Sequence, residues 1–539
     1  MENYLGQLPV GDWIRLLTDR DSKLVSRLNA IYGRDEVYLR DRIQTFLQVL
    51  RQFRGRYGDS RKVGIMRTPG RVNTMGMHID HRGGYVNPIA LNREVVLCYS
   101  SRQDDRISIY NMDEKYGNRE ITMSHLQPDS MINSVDEWLA WTQRETEQRI
   151  QTGTNQDWVQ KLNAPVVYLQ VRHPERSWRG FDGVLESSLP PRMGLSSSSA
   201  IIVTIMDVLL QLNNNTLSDD QFVSYCGTAE WYVGTRGGFG DQAAIKFGRY
   251  GMITHMKTLP TLKIHSYLPF PEEYQLLIFD SGQEADKTGP AGGKFNARTA
   301  TYEIGELFIR EYMMQNHLKI YQSVTSTRKS DEGTGKRFFL ADVEESLSES
   351  QISALLEVLP DRVSRSELNR RFPEQREFLQ SQFDTHEGPD DGYPVRAVIT
   401  YGICECRRSR KLSDIINNSR IKLFGHLMNV SHDGDRVSGR FSNHRDSQLN
   451  TTSVSDLLLE PGGYGCSIPE IDIMVDLALD AGAEGAQIMG AGLGGSILVL
   501  VNNKNVENII ETMQNLYYGP RHIEENTIIT HPIEGASFL

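Results

Sequence analysis

One segment carries the strongest structural signal in the sequence: Pro190-Pro191-Arg192-Met193-Gly194-Leu195-Ser196-Ser197-Ser198-Ser199-Ala200. The apolar run Ile201-Ile202-Val203 follows directly, so the pattern predicts a loop that opens a buried helix. The first backbone N–H groups of a helix have no partner within it, and together with the helix dipole they favour an anion. A serine that only caps a core helix gives the same pattern. The segment therefore predicts a phosphate-binding loop, with a plain helix cap as the alternative.

Two glycine-rich segments accompany this serine loop. The upstream one, residues 69–86, concentrates two arginines, two histidines and an aspartate within a predicted turn, which indicates a pocket. The downstream one, residues 490–495, reads Gly-Ala-Gly-Leu-Gly-Gly and satisfies the Gly-x-Gly-x-x-Gly pattern of dinucleotide sites. That reading needs a helix after the glycines, whereas a strand-like run follows at residues 496–501. A dinucleotide-binding domain is therefore disfavoured, and a glycine turn that supports the serine loop is preferred.

The three segments, in this order, resemble the signature motifs of the GHMP small-molecule kinases, and specifically of the galactokinase branch. The quoted matches are Gly70-Arg71-Val72-Asn73 with His78-Ile79-Asp80, the serine loop, residues 229–242, Phe424-Gly425-His426-Leu427-Met428-Asn429, residues 466–472 and the downstream glycine turn. This resemblance implies an α+β fold of two lobes with the site between them. The N-terminal lobe would be of the ribosomal protein S5 domain 2-like type, with a left-handed crossover, and the C-terminal lobe would be ferredoxin-like.

The resemblance also implies the roles of the catalytic groups. Asp241 would face the sugar C1 hydroxyl as base or orienting carboxylate, Arg71 would steady its charge, and Ser198 and Glu230 would hold Mg²⁺. The ATP phosphates would lie against the backbone of Arg192, Met193, Gly194, Leu195, Ser196, Ser197 and Ser198. From the residues alone, Asp241 also fits a local turn former, Glu230 a solvated helix carboxylate and Arg71 an exposed arginine.

The sugar-binding positions depart from the galactokinase pattern. His78 and Asp80 match it, but Met77 stands where a glutamate is expected, and Phe295 stands where a sugar-contacting tyrosine is expected. Arg192 replaces a glycine at the start of the serine loop. Because Met77 and Phe295 are less polar, we expect one contact near the sugar C6 to be lost and a sugar that lacks or modifies the C6 oxygen to be favoured.

Composition limits the partners. The chain has 539 residues and a net charge of −11, which disfavours nucleic acid and anionic membranes because either partner attracts a basic surface. Five scattered cysteines do not form a disulfide framework or a zinc pattern. Neither a classical signal sequence nor a membrane-spanning apolar run is evident. We expect a cytoplasmic protein, a monomer or weak homodimer, whose partners are a small sugar and ATP.

The length suggests several domains. We expect a helical extension at residues 1–60, containing an amphipathic helix pair within residues 24–53, then an N-terminal kinase domain at 61–255. A C-terminal domain would span residues 256–539 and include a polar insertion at about 324–394, whose helical middle at residues 352–378 would pack on the body.

These observations favour an ATP- and Mg²⁺-dependent monosaccharide 1-kinase that acts on galactose or a close relative. One alternative is a catalytically silent regulator of galactokinase descent that binds sugar and ATP. Another is a kinase of the same family for arabinose, N-acetylgalactosamine or a uronate. Retention of Asp241, Arg71, Ser198 and Glu230 favours an enzyme over a regulator.

Overall fold

The computed structural model describes residues 6–33, 35–191, 193–234, 238–284, 290–326, 338–440 and 455–539, without the side chains of residues 290–292. The described strands are β1 (Leu8–Pro9), β2 (Lys62–Asn73), β3 (Pro88–Ser101), β4 (Arg106–Asn111), β5 (Arg119–Thr122), β6 (Phe181–Ser187), β7 (Met252–Lys257), β8 (Lys263–Pro269), β9 (Tyr274–Asp280), β10 (Gly485–Ile488), β11 (Ser496–Asn502), β12 (Thr527–Thr530) and β13 (Ser537–Phe538). The described helices are α1 (Val10–Thr18), α2 (Lys23–Tyr32), α3 (Glu36–Tyr57), α4 (Val135–Gln151), α5 (Val159–Arg172), α6 (Ser197–Leu212), α7 (Asp219–Ala229), α8 (Gly240–Phe247), α9 (Pro290–Asn316), α10 (Leu318–Ser326), α11 (Leu340–Ser346), α12 (Glu349–Val358), α13 (Arg365–Arg371), α14 (Arg376–Phe383), α15 (Val395–Asn417), α16 (Ile421–Asp435), α17 (Asp456–Leu459), α18 (Pro469–Asp480), α19 (Val506–Met513) and α20 (Gly519–Arg521).

The larger sheet has the strand order β1-β2-β3-β6-β4-β5, and β13 also pairs with β2. Only the β4–β6 pairing is parallel among the described strands of this sheet. β2 and β3 are buried along nearly their whole length because helices cover both faces. The serine-loop helix α6 packs against β2 and β3 on one face, and α3 packs against β3 and β6 on the other.

The N-terminal helices are tied to this sheet. Asp35 caps α3 by accepting from the N–H groups of Val37 and Tyr38, which satisfies donors that the helix cannot. The buried Trp13 donates its indole N–H to the carbonyl of Val63 in β2 at 2.8 Å. α2 and α3 confirm the helix pair expected within residues 24–53, and they form part of the core of the larger sheet.

The smaller sheet is antiparallel with the order β10-β11-β9-β12. In chain order its elements run from β9 through helices to β10 and β11, then through α19 to β12. This is the split βαβ arrangement of a ferredoxin-like sheet. α16 and α18 pack against β10. Together the two sheets and their helices confirm the predicted α+β class.

The region expected to be a polar insertion contains α11, α12, α13 and α14, and part of it, residues 327–337, lies outside the described residues. Its apolar side chains share one core with α9 and α15. The boundary expected between residues 255 and 256 falls within β7, and β13 near the C-terminus returns to the larger sheet. The domain limits therefore stay predictions. Among the described helices, none is long and apolar enough to cross a bilayer.

Candidate functional site

The serine loop ends where α6 begins. Gly194 has φ +77° and Ser196, the residue before α6, has φ +59°, so the chain makes a left-handed turn into the helix. No side chain caps the first turn of α6. Its backbone donors are therefore available to an anion, as the sequence predicts for this loop. Met193 and Leu195 anchor the loop by burying their side chains, while Arg192 lies outside the described residues.

Arg71 and Asp241 form the central ion pair of the site. The Nε and Nη2 atoms of Arg71 donate to Oδ1 and Oδ2 of Asp241, both at 2.7 Å. β2 has a bulge between Pro69 and Arg71, and a Cβ on the intervening Gly70 would lie 2.7 Å from the carbonyl oxygen of Leu195. The bulge thus lets the serine loop approach β2 and turns Arg71 toward Asp241. The Asp241 side chain remains 37% exposed, so it stays open to a ligand.

The serine loop also contacts this pair directly. The Ser196 hydroxyl donates to Oδ2 of Asp241 at 2.6 Å, and Nη1 of Arg71 donates to the carbonyl of Gly194 at 3.0 Å. The predicted phosphate loop and the predicted catalytic aspartate therefore belong to one hydrogen-bonded unit. A group transferred from a phosphate at the loop would arrive beside the Asp241 carboxylate.

Asp80 lies next to Gly238, which is close to Asp241 in the chain. A Cβ on Gly238, three residues before Asp241, would lie 2.6 Å from Oδ2 of Asp80, so a larger residue there would displace this carboxylate. Oδ1 of Asp80 is 2.9 Å from Nδ1 of His81. Burial acts to raise the pKa of Asp80, but the hydrogen bond and charge of His81 outweigh it and lower the pKa to about 2. The carboxylate is therefore ionised at neutral pH and can accept hydrogen bonds from a ligand.

Glu230 is buried beneath the serine loop and is hydrogen-bonded to Ser199. The hydroxyl of Ser199 lies 2.9 Å and 3.1 Å from the two Glu230 oxygens, and Gln242 donates to the same carboxylate at 2.5 Å. The Ser198 hydroxyl is buried without a hydrogen-bond partner among the described residues. Ser198 retains a free hydroxyl that fits a metal ligand, whereas Ser199 is the residue that holds Glu230 in place.

The turn before His78 is anchored by a buried ion pair on α15. Oε1 of Glu405 accepts the backbone N–H groups of Gly76 and Met77 at 2.8 and 2.9 Å. Oε2 of Glu405 accepts from Nε of Arg408 at 2.7 Å, and neither side chain of this pair is exposed. Because Glu405 binds backbone N–H groups, it fixes the path of the turn. It makes these contacts whatever side chain residue 77 carries.

His78 is buried more deeply than a sugar-contacting residue needs to be. Its side chain is 3% exposed, and its backbone has φ +59°. The imidazole stacks on Tyr464 with ring centroids 4.4 Å apart, and Nε2 is 3.4 Å from Oδ2 of Asp435. A non-glycine residue in the left-handed region is strained and is held there by its surroundings. Direct contact between His78 and a sugar stays a prediction.

Met77 and Phe295, the two residues that depart from the galactokinase pattern, both pack as apolar side chains. The Met77 side chain is buried, with its sulfur 3.8 Å from Nδ2 of Asn73. Phe295 lies near the start of α9, half-buried against the core that α9 shares with α15. Neither residue supplies a hydroxyl or a carboxylate.

The downstream glycine turn lies beside the serine loop. Ser496, the first residue of β11, donates its hydroxyl to the carbonyl of Met193 at 3.1 Å. A Cβ on Gly492 would lie 2.2 Å from the carbonyl oxygen of Cys466, and the glycine has φ +78°. A strand and not a helix follows the turn. The role expected from the sequence, support of the serine loop, agrees with these contacts.

The sequence assigns no role to four residues whose side chains hold the site in place: Ser199, Gln242, Glu405 and Asp435. Gln242 lies next to Asp241 within the quoted match at residues 229–242, whereas Ser199 is one of four consecutive serines that the sequence does not distinguish. Glu405 and Asp435 approach from α15 and α16, more than 300 residues along the chain from the turn they contact, and no local pattern marks them.

Comparison with known proteins agrees with this geometry. Residues 163–249 match the GHMP kinases N terminal domain, residues 51–101 match the galactokinase galactose-binding signature, and residues 412–519 match the GHMP kinases C terminal domain. The galactokinase of Thermococcus kodakarensis is 24% identical, with coverage of 88% of this chain and 99% of that protein. The galactokinase of Saccharomyces cerevisiae is 23% identical, with coverage of 90% and 93%.

A solved structure supports the fold. Lactococcus lactis galactokinase, crystallised with galactose, superimposes with a TM-score of 0.58 at 19% identity, covering 90% of this chain and 98% of that one. The galactokinase signature spans the turn with Asp80, and the N-terminal domain match spans the serine loop, Glu230 and Asp241. The chain therefore carries the N- and C-terminal domains of the GHMP kinases together with the galactokinase galactose-binding signature.

Proposed function

We propose that the protein is an ATP- and Mg²⁺-dependent kinase that phosphorylates the anomeric hydroxyl of galactose or a related sugar. The observation that carries this proposal is the unit formed by Arg71, Asp241 and Ser196, in which a carboxylate open to solvent is held against the serine loop. Phosphoryl transfer depends mainly on positioning and electrostatic stabilisation, and this unit supplies both.

In the proposed reaction, Asp241 accepts the hydrogen bond of the sugar C1 hydroxyl and orients its oxygen toward the γ-phosphorus of ATP. The new oxygen–phosphorus bond forms as the bond from the γ-phosphorus to the bridging oxygen breaks, which leaves ADP. The hydroxyl proton passes to Asp241 and then to solvent. Arg71 keeps the carboxylate oriented and offsets negative charge near the transferring group.

The serine loop is proposed to bind the ATP phosphates through the backbone of residues 193–198. Ser198 and Glu230 would hold Mg²⁺, because an unpartnered buried hydroxyl and a buried carboxylate are hard oxygen ligands of the type this ion prefers. When bound, the ion supplies charge neutralisation for the phosphates. Asp80 would accept hydrogen bonds from two sugar hydroxyls, and Met77, His78 and Phe295 would border the sugar.

The principal rival is a regulator that binds sugar and ATP without turnover. Nothing in the described site blocks Asp241, whose carboxylate is more than one-third exposed and correctly paired with Arg71.

We propose the cytoplasm as the compartment, since all five cysteines are buried unpaired thiols. The test of the kinase function is ATP consumption with Mg²⁺ and a panel of sugars that includes galactose, arabinose, N-acetylgalactosamine and uronates, with sugar 1-phosphate identified by phosphorus NMR. ATP binding that a sugar enhances, without product from any sugar, would favour the regulator.

A further inference from the structure

One face of α9 points toward the turn that carries His78 and Asp80. Tyr302 on this face has its ring 6.0 Å from that of His81 and 5.4 Å from that of Tyr464, and the guanidinium of Arg82 lies 4.8 Å from the Tyr302 ring. Tyr464 in turn stacks on His78. The face of α9 that holds Tyr302 therefore packs against the turn that carries His78 and Asp80.

Two cations lie on the same face, one and two turns before Tyr302. Arg298 is four residues earlier and Lys294 is eight, so helical spacing aligns all three side chains. The Arg298 guanidinium lies beside the chain next to Tyr464, because a Cβ on Gly465 would be 3.4 Å from its Nη2 atom. Phe295, the residue expected to border the sugar, lies between the two cations in sequence.

Neither cation has an ion-pair partner within the described part of the chain. The Nε atom of Arg298 is buried without a hydrogen bond. Burial lowers the pKa of Lys294, Arg298 lowers it further, and Cys466 and Asp435 oppose the change. Both side chains are partly buried, and a partly buried cation without a partner loses hydration, so both would gain from an anion bound between them.

The neighbouring carboxylates are already engaged elsewhere. Asp435 accepts from the Tyr401 hydroxyl at 3.2 Å and from the Cys466 N–H at 3.3 Å. Asp472 accepts from the backbone and hydroxyl of Ser438 at 2.9 and 2.7 Å. By contrast, Arg82 on the facing turn is paired with Glu303 at 2.7 Å. The charge of Lys294 and Arg298 is therefore available to a ligand.

We propose that Lys294 and Arg298 bind a carboxylate on the sugar, so that the preferred substrate is a hexuronic acid and not a neutral hexose. This inference rests on the proposed kinase function and names its substrate class. Met77 fits it, because a glutamate at that position would place a negative charge at the sugar side of the cleft, where it would repel a carboxylate. Arginine and lysine together provide charge-assisted hydrogen bonds to both carboxylate oxygens.

The test compares galacturonate, glucuronate and galactose as substrates of the full-length protein. We expect a higher kcat/KM for a uronate than for galactose. In Lys294→Gln and Arg298→Gln, the ratio of uronate to galactose kcat/KM should fall about 10- to 100-fold, as expected for loss of one charge-assisted hydrogen bond. Arg298→Lys keeps the charge and should retain part of the preference. The exposed Lys319→Gln on α10 is the matched control and should leave the ratio unchanged.

Two results would overturn the inference. If the variants raise KM for ATP while the uronate to galactose ratio stays constant, the cations serve the donor phosphates. If the wild-type protein prefers galactose, the carboxylate site is absent. Titration calorimetry of galacturonate without ATP separates this inference from the kinase proposal. Binding to the wild type that the Lys294→Gln/Arg298→Gln protein lacks supports the site even without turnover, and no binding to the wild type refutes it.

Discussion

Arg71 and Asp241 are 170 residues apart in sequence and meet in a two-point ion pair, with both N···O distances at 2.7 Å. The pair joins β2 of the larger sheet to the first turn of α8, directly beside the serine loop. Because Arg71 also donates to the carbonyl of Gly194, one side chain sets the position of the carboxylate relative to the loop. The catalytic proposal rests on this arrangement.

Asp241→Asn should reduce turnover by about 100-fold to 10,000-fold, the range for loss of a group that accepts a proton. The amide keeps the shape of the carboxylate but cannot take the hydroxyl proton. Sugar binding, measured by calorimetry, should change little. Substitution of the exposed Asp129 by Asn is the control and should leave turnover unchanged. Full activity of Asp241→Asn would remove this residue from the mechanism.

Ser196 should act as a positioning residue for Asp241. Ser196→Ala removes a hydrogen bond to a charged group, so we expect kcat to fall about tenfold, corresponding to about 1.4 kcal/mol, with little change in KM for ATP. Ser196→Gly removes the same hydroxyl but fits the left-handed backbone without strain. Equal losses in both variants indicate the hydroxyl. Normal kcat in Ser196→Gly would instead assign the effect of alanine to backbone strain.

Ser198 and Ser199 should have separable roles. Ser198→Ala should raise the Mg²⁺ concentration needed for half-maximal activity, since it removes the unpartnered hydroxyl. Ser199→Ala should lower the free energy of unfolding by about 1–3 kcal/mol, because the buried Glu230 loses a hydrogen-bond donor. Urea unfolding and Mg²⁺ titration of activity measure the two effects. If Ser199→Ala changed the Mg²⁺ requirement and Ser198→Ala lowered the free energy of unfolding, the two roles would be reversed.

Asp80 should make the free energy of unfolding depend on pH in the acid range. Its pKa is lowered from 3.8 to about 2 in the folded protein, so its contribution is present above about pH 4 and is lost as the pH falls toward 2. We therefore expect the urea midpoint of the wild type to fall more steeply over this range than that of Asp80→Asn. Parallel curves for the two proteins would mean that the carboxylate is not stabilised by His81.

Met77→Glu should raise kcat/KM for galactose, because it restores a carboxylate where the galactokinase pattern has one. Asn73 lies within reach of the new carboxylate. Met77→Gln is the matched control, since it adds hydrogen bonding without charge. If the Glu variant shows no gain on galactose over the wild type, residue 77 does not set sugar preference.

The sequence predicts the fold and the chemically distinctive part of the site. Apolar and glycine patterns identify the helix after the serine loop and the strand after the glycine turn, because both signals are local. The contacts of the individual serines could not be predicted in the same way. Four consecutive serines point in four directions around a helix, and only the packing of the fold places Ser199 against Glu230. The burial of His78 depends on Asp435 and Tyr464, which arrive from remote parts of the chain. Tertiary contacts of this kind leave no local pattern.

The most direct measurement of the central claim is phosphorus NMR of the product formed from ATP, Mg²⁺ and a panel of sugars, including galactose, arabinose, N-acetylgalactosamine and uronates, with wild-type protein and Asp241→Asn in parallel. The account predicts an anomeric sugar 1-phosphate with at least one sugar from the wild type, and its near absence from the variant. Phosphorylation at another hydroxyl, or sugar-dependent ATP binding without any product, would contradict it.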